Sequence, residues 1–145
     1  MIELLDKYKI KGHFEFSHSE SLEQKCNAPT SQSGVYLIYE TLGERRSLIY
    51  IGSSGQRNAD GSLKTRRSGI GGMKDRLVNG YHPGFGKVKR KNAWPKQMKL
   101  EGIQKIIVYW WVTYDDEHRE FPTDVEGILL SNYKLKHGAK PRWHS

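Results

Sequence analysis

Gly34-Val35-Tyr36-Leu37-Ile38-Tyr39 and Ser47-Leu48-Ile49-Tyr50-Ile51-Gly52 decide how this chain is read. Both runs are β-branched and aromatic, the composition that suits a pleated, half-buried surface. Thr41-Leu42-Gly43-Glu44 between them supplies turn residues, so the pair reads as an antiparallel hairpin, Val35–Tyr39 with Ser47–Ile51. Downstream, Lys105-Ile106-Ile107-Val108-Tyr109-Trp110-Trp111-Val112-Thr113-Tyr114 is almost continuously apolar. Such a run predicts a central strand covered on both sides, with Trp110 and Trp111 on opposite faces.

Helical segments fill the remainder. A short helix is predicted over 73–79, ended by Gly80, and a second opens at Pro95 and closes near Gly102. A last helix over 123–136 places Val125, Ile128, Leu129, Asn132 and Leu135 at helical spacing. Residues 1–33 read as a polar N-terminal extension. Residues 53–72, with Gly55, Gly61, Gly69, Gly71 and Gly72, read as a long mobile loop. The expected fold is a single α+β domain over 1–145, ordered β-β-α-α-β-α, with a small three-stranded antiparallel sheet flanked by helices.

Composition narrows the function. Lys plus Arg number 24 against 16 Asp plus Glu, a net charge of +8. The excess concentrates between Arg57 and Lys105, where only Asp60, Asp75 and Glu101 oppose thirteen basic residues. That pattern suits a polyanion, because phosphate neutralisation releases bound counterions. Lys64, Arg66, Arg67, Lys74, Lys87, Lys89, Arg90 and Lys91 are the candidate nucleic-acid contacts. Trp94, Trp110, Trp111 and Trp143 are aromatic candidates for stacking on bases. Cys26 is the single cysteine and the six histidines have no HxxxH spacing, so neither a disulfide framework nor a zinc site is expected. No signal peptide or membrane-length apolar run is read, and a cytoplasmic setting is the default expectation.

In order along the chain stand Gly34-Val35-Tyr36, Tyr50-Ile51-Gly52, Lys74-Asp75-Arg76-Leu77, Tyr81-His82, Glu126 on the last helix and Pro141-Arg142-Trp143-His144. As an ordered set over residues 33–144, this resembles the GIY-YIG nuclease family. The resemblance implies a site of Tyr36, Tyr50, Arg76, Tyr81 or His82, Glu126 and His144. It implies a reaction too: metal-dependent hydrolysis of phosphodiester bonds in DNA, leaving 5′-phosphate and 3′-hydroxyl ends. The stand-alone length is similar to restriction-type members, for which cutting both strands of a symmetric site implies a homodimer. The chain also departs from the pattern. Thirteen residues separate Tyr36 from Tyr50, Ser53 and Ser54 replace the lysine that often follows YIG, Gly80 stands four residues after Arg76, and His144 replaces an asparagine.

The implied chemistry is physically coherent. A tyrosine needs neighbouring cations to act as a base near neutral pH, and Lys64, Arg66 or Lys74 are the candidates for that charge. Arg76 carries a planar donor fork suited to phosphate. Glu126 would hold one Mg²⁺ or Mn²⁺, a hard ion served by few carboxylates. Each residue also has a plain structural reading. Arg76 reads equally as a surface base, Tyr36 as core, and Thr123-Asp124-Val125-Glu126 as a capping box in which Glu126 caps its own helix. The rival functional classes are a nucleic-acid-binding module without catalysis and a protein-interaction domain whose basic patch meets acidic partners.

Overall fold

The computed structural model describes residues 2–144. The hairpin is longer than the apolar runs alone predict: β2 spans Ser33–Leu42 and β3 spans Arg45–Ser54. Leu42 pairs with Arg45 across a two-residue turn in which Gly43 takes φ 63°. A II′ turn requires that conformation of its first residue, and glycine adopts it without a Cβ clash. Ile38 faces Tyr50 whereas Tyr39 faces Leu48, so Ile49 is the extra residue of a β-bulge. The bulge breaks strict alternation, and Ile49 and Tyr50 both enter the same apolar core.

The sheet has four antiparallel strands, not three, in the order β1-β6-β2-β3. β6, Lys105–Tyr114, matches its predicted bounds and lies inside the sheet. The added strand is β1, Lys11–Ser17, in the stretch expected to be a polar extension. Its Phe14 and Phe16 are buried while Lys11, His13 and Glu15 lie outward. This period-two pattern pairs it with β6 from Lys11↔Trp111 to Ser17↔Lys105.

Each face of the sheet is covered. On one, Tyr36, Ile38, Tyr50, Val108 and Trp110 pack with Leu22 of the one-turn helix α1 (Leu22–Lys25), with Met73, Leu77 and Val78 of α2 (Gly72–Asn79), and with Trp94 and Met98 of α3 (Arg90–Glu101). On the other, Val35, Leu37, Ile51 and Trp111 pack with Leu5, Tyr8 and Val125 and Leu129 of α4 (Pro122–His137). Trp110 and Trp111 do face opposite sides. All four tryptophans are buried, so none is available to stack on a base.

Two expectations change. α3 begins at Arg90, five residues before Pro95, which lies inside the helix. There it removes one backbone hydrogen bond, while Ala93, Trp94 and Met98 still anchor the helix to the core. The glycine-rich segment is not a free loop. It holds a short ladder, β4 (Gln56–Arg57) with β5 (Leu63–Lys64), and is tied to α2 by the buried carboxylate of Asp75. Asp75 accepts from Arg66 Nε at 2.6 Å, the Ile70 amide at 2.9 Å and Asn79 Nδ2 at 2.8 Å. No helix among the described residues is long and apolar enough to cross a membrane.

Gly34 has no room for a side chain: a Cβ there would lie 1.8 Å from the Trp111 carbonyl oxygen and 2.9 Å from Met73 Cε. Gly34→Ala is therefore expected to force β2 from β6 and cost about 1–3 kcal/mol or more, as overpacking of a filled core does. Urea unfolding measures this. A loss within about 0.5 kcal/mol of zero, the range of neutral surface changes, would contradict the packing argument.

Candidate active site

β3 is one of the two edge strands, and residues from both faces of the sheet converge beside its second half. Tyr50 lies at the centre, 5% exposed. His144 stacks on its ring with centroids 4.4 Å apart, and His82 lies tilted against it at 4.2 Å. Tyr36, on β2, lies 6.3 Å from Tyr50 and covers Gly52, where an added Cβ would sit 2.5 Å from the ring. The glycine after Tyr50-Ile51 is thus needed for close approach of a ring to backbone.

The C-terminal segment seals this edge. The Trp143 amide donates to the Ile49 carbonyl at 2.9 Å, and His144 Nε2 lies 2.9 Å from the Ile51 carbonyl. Arg142 grips buried Glu40 with two bonds of 2.8 and 2.7 Å and reaches Glu101 through Nε at 2.8 Å. Trp143 Nε1 donates to the same Glu101 at 2.8 Å. Arg142 holds the Glu40 carboxyl below its ordinary range despite burial.

His82 is fully buried with both ring nitrogens engaged. Trp94 Nε1, which only donates, lies 3.0 Å from Nδ1; Nε2 lies 2.9 Å from the Trp143 carbonyl, which only accepts. The proton therefore sits on Nε2 and the ring is neutral. Burial first, then the charge of Arg90, push its pKa down to about 3. With no nitrogen free, His82 forms the wall of the site. Tyr81 contributes its backbone: its carbonyl accepts from Arg76 Nη1 at 3.4 Å, while the residue itself is 52% exposed.

Arg76 is half-buried on α2, and its side chain crosses Gly80, where a Cβ would meet Nη1 at 2.6 Å. The glycine in the fourth position after Arg76 thus leaves room for the arginine to turn inward. Glu126 reaches the site from α4, half-buried. It makes no capping box: the helix starts at Pro122 and has no side-chain cap. Instead Glu126 lies near Ser53, Arg76 and Arg90, all of which favour its charged form. Burial raises its pKa, against the pull of those three groups. Among the described residues, neither Arg76 nor Arg90 forms an ion pair.

Arg90 was grouped with the surface bases on charge alone, and the structure places it elsewhere. It is fully buried; Nη1 donates to the Arg76 carbonyl at 2.9 Å and Nη2 to the Tyr50 hydroxyl at 3.5 Å. The cation beside Tyr50 is therefore Arg90, with Arg76 further off, and not Lys64, Arg66 or Lys74. A usable signal was its spacing: Arg90, Ala93, Trp94 and Met98 share one helical face, so a base sat on an apolar stripe. Burial nonetheless raises the Tyr50 phenol above its ordinary range, Tyr36 and Glu126 pushing the same way and Arg90 and Arg76 opposing.

The other predicted basic contacts separate. Arg66, Arg76 and Lys89 line one open groove of about 440 Å³ together with Tyr81 and Gly80. Lys91 lines a different depression with Glu20 and Glu23. Lys64, Arg67 and Lys87 are exposed, and Lys74 is half-buried beside Cys26, whose thiol burial pushes up to about 11. No group of three or more His, Cys, Asp or Glu suited to a metal occurs among the described residues. Glu126 is the only described carboxylate that acts on Tyr50, a donor set that fits a hydrated Mg²⁺ holding most of its own waters. Comparison of the chain with known family profiles, with curated proteins and with solved structures gave no match.

The neutral His82 has a stability consequence with a definite sign. Its folded pKa lies below the ordinary histidine value, so between about pH 6.5 and about 3 the unfolded chain binds the extra proton. Stability is expected to fall across that window on acidification, by up to about 1.4 kcal/mol per pH unit from this group. His82→Gln should unfold with a shallower pH slope; an unchanged slope would place the acid sensitivity elsewhere.

Proposed function

We propose that this chain is a metal-dependent endonuclease of GIY-YIG-like architecture that hydrolyses phosphodiester bonds in duplex DNA. The observation that carries the proposal is the meeting of Tyr50, Arg76 and Glu126, drawn from β3, α2 and α4, at one edge of the sheet. Phosphodiester hydrolysis needs a base for water, a cation for the phosphate and help for the departing oxygen. Tyr50, once its phenol has given up its own proton to solvent, takes the proton from the attacking water. Arg76, free of any carboxylate partner among the described residues, offers its fork to a non-bridging oxygen. Glu126 would hold Mg²⁺, which when bound neutralises phosphate charge and assists the leaving oxygen. The groove lined by Arg66, Arg76 and Lys89 gives the adjoining backbone a basic track.

The chain is read as a restriction-type enzyme acting as a homodimer, with 5′-phosphate and 3′-hydroxyl products. One observation favours the rival, a binding module without catalysis: the buried phenol of Tyr50 is held protonated in the free protein. Glu126→Gln separates the two. The amide keeps the size and can bond Ser53 but loses the charge a hard cation requires. Plasmid cleavage with Mg²⁺ is expected to fall by about two orders of magnitude or more, while DNA retention persists and the melting temperature holds or rises. Full cleavage by the folded variant would remove Glu126 as a metal ligand. Absence of cleavage by the unaltered protein across Mg²⁺ and Mn²⁺ would favour the rival.

A further inference from the structure

Arg90 is the one residue of this site whose presence the architecture alone leaves unexplained. It is fully buried and, among the described residues, has no ion pair. Its Nε has no hydrogen-bond partner. Its guanidinium carbon lies 5.5 Å from the ring centres of Tyr36 and Trp94 and 5.7 Å from that of Tyr50, so three aromatic rings line its surroundings. Cation–π attraction and two hydrogen bonds offset only part of the cost of removing the charge from water. An apolar side chain of similar volume would fill this space without that cost. A charge kept in so unfavourable a place points to work done on a neighbour.

We propose that Arg90 is a positioning residue for Tyr50. It donates to the phenol oxygen from inside the protein and turns the hydroxyl proton toward the open side of the site. It also keeps a permanent positive charge beside the oxygen as that oxygen becomes anionic. The proposal rests on the reading of Tyr50 as the general base. The guanidinium suits the task because it stays charged at any pH at which the protein is folded. The other groups facing the ring are Tyr36 from β2, Arg76 from α2, Glu126 from α4, His82 from the segment before α3, and His144 from the C-terminal segment. Burial lowers both histidines below the ordinary value, so neither titrates in the alkaline range where a phenol does. Arg76 donates to the Tyr81 carbonyl at 3.4 Å. Among the described residues, Arg90 alone donates a hydrogen bond to the phenol oxygen of Tyr50, at 3.5 Å.

The test uses Arg90→Met and Arg90→Gln in the full chain, with plasmid cleavage in Mg²⁺ followed from pH 7 upward. Removing a cation this close should raise the phenol by about 1–3 units, so cleavage near pH 7 should fall by about 10- to 1000-fold. While the phenol stays mostly protonated, both proteins gain phenolate in step, so the deficit should hold steady with pH and close only where the phenol of the unaltered protein itself ionises. Installing 3,5-difluorotyrosine, a more acidic phenol, at position 50 should lift cleavage by the Arg90 variants back toward that of the unaltered protein. Thermal unfolding checks that the variants fold; if the methionine form does not, the glutamine form carries the same expectation. A loss that the acidic phenol does not relieve would make Arg90 a packing residue and overturn the proposal, as would unchanged cleavage in either folded variant. Tyr50→Phe run alongside separates the two levels. Its normal cleavage would overturn the general-base reading itself, whereas an inactive Tyr50→Phe beside fully active Arg90 variants would overturn the positioning role alone.

Discussion

An edge strand presents backbone groups that the sheet does not pair, and this fold depends on how the edge of β3 is closed. The C-terminal segment closes it in one stretch. Trp143 gives its amide to Ile49, and His144 lays its ring on Tyr50 while its Nε2 meets Ile51. The ion pairs of Arg142 with Glu40 and Glu101 hold that segment against both the sheet and the end of α3. Glu40 is nearly buried, so its pairing is demanded by the cost of a lone carboxylate in the interior. Among the described residues this segment bonds β3 no further than Ile51, and beyond it Gly52 and Ser53 admit Tyr36 and Glu126 from opposite faces.

The electrostatics of the site follow from that geometry. Two arginines without ion-pair partners among the described residues face one half-buried carboxylate, and burial lowers the pKa of the two histidines nearby. Histidine titration therefore changes little at neutral pH, and the site is set up around fixed charges. Its balance is positive, which draws in an anion and discourages a second cation until one arrives. The same burial that sharpens these fields raises the phenol of Tyr50, so its hydroxyl keeps its proton in the free protein.

Much of the sheet was legible in residue pattern. β6 stands out because a strand buried on both faces must be apolar at nearly every position, and the hairpin is marked by two aromatic β-branched runs around Gly43. β1 escaped notice because its charged residues dominated the reading, although Phe14 and Phe16 alternate with His13 and Glu15 as a half-buried strand must. The start of α3 was misplaced because Pro95 looked like a first-turn residue, while the face formed by Ala93, Trp94 and Met98 reaches across it. In the candidate site, order along the chain singles out Tyr50, Arg76 and Glu126. It does not single out Arg90, since net charge counts a lysine in water and an arginine in the interior alike. Only the register of α3 separates Arg90 from Lys89 and Lys91, and that register depends on tertiary packing.

The pairing of β6 with both β1 and β2 also governs how the molecule is assembled in time. Lys11 meets Trp111, and Ser33 meets Tyr114, pairings 100 and 81 residues apart in a chain of 145. During synthesis the β2–β3 hairpin has its partner at hand from the outset, but β1 must wait until β6 has emerged. Until then Phe14 and Phe16, and one side of β2, have nothing to close against. The loop that must be drawn shut is long, and its entropy is lost before the rows of contacts on β6 return it. The fold is thus a slow-closing one, in which a single late strand converts a local hairpin and a waiting N-terminal strand into one cooperative unit.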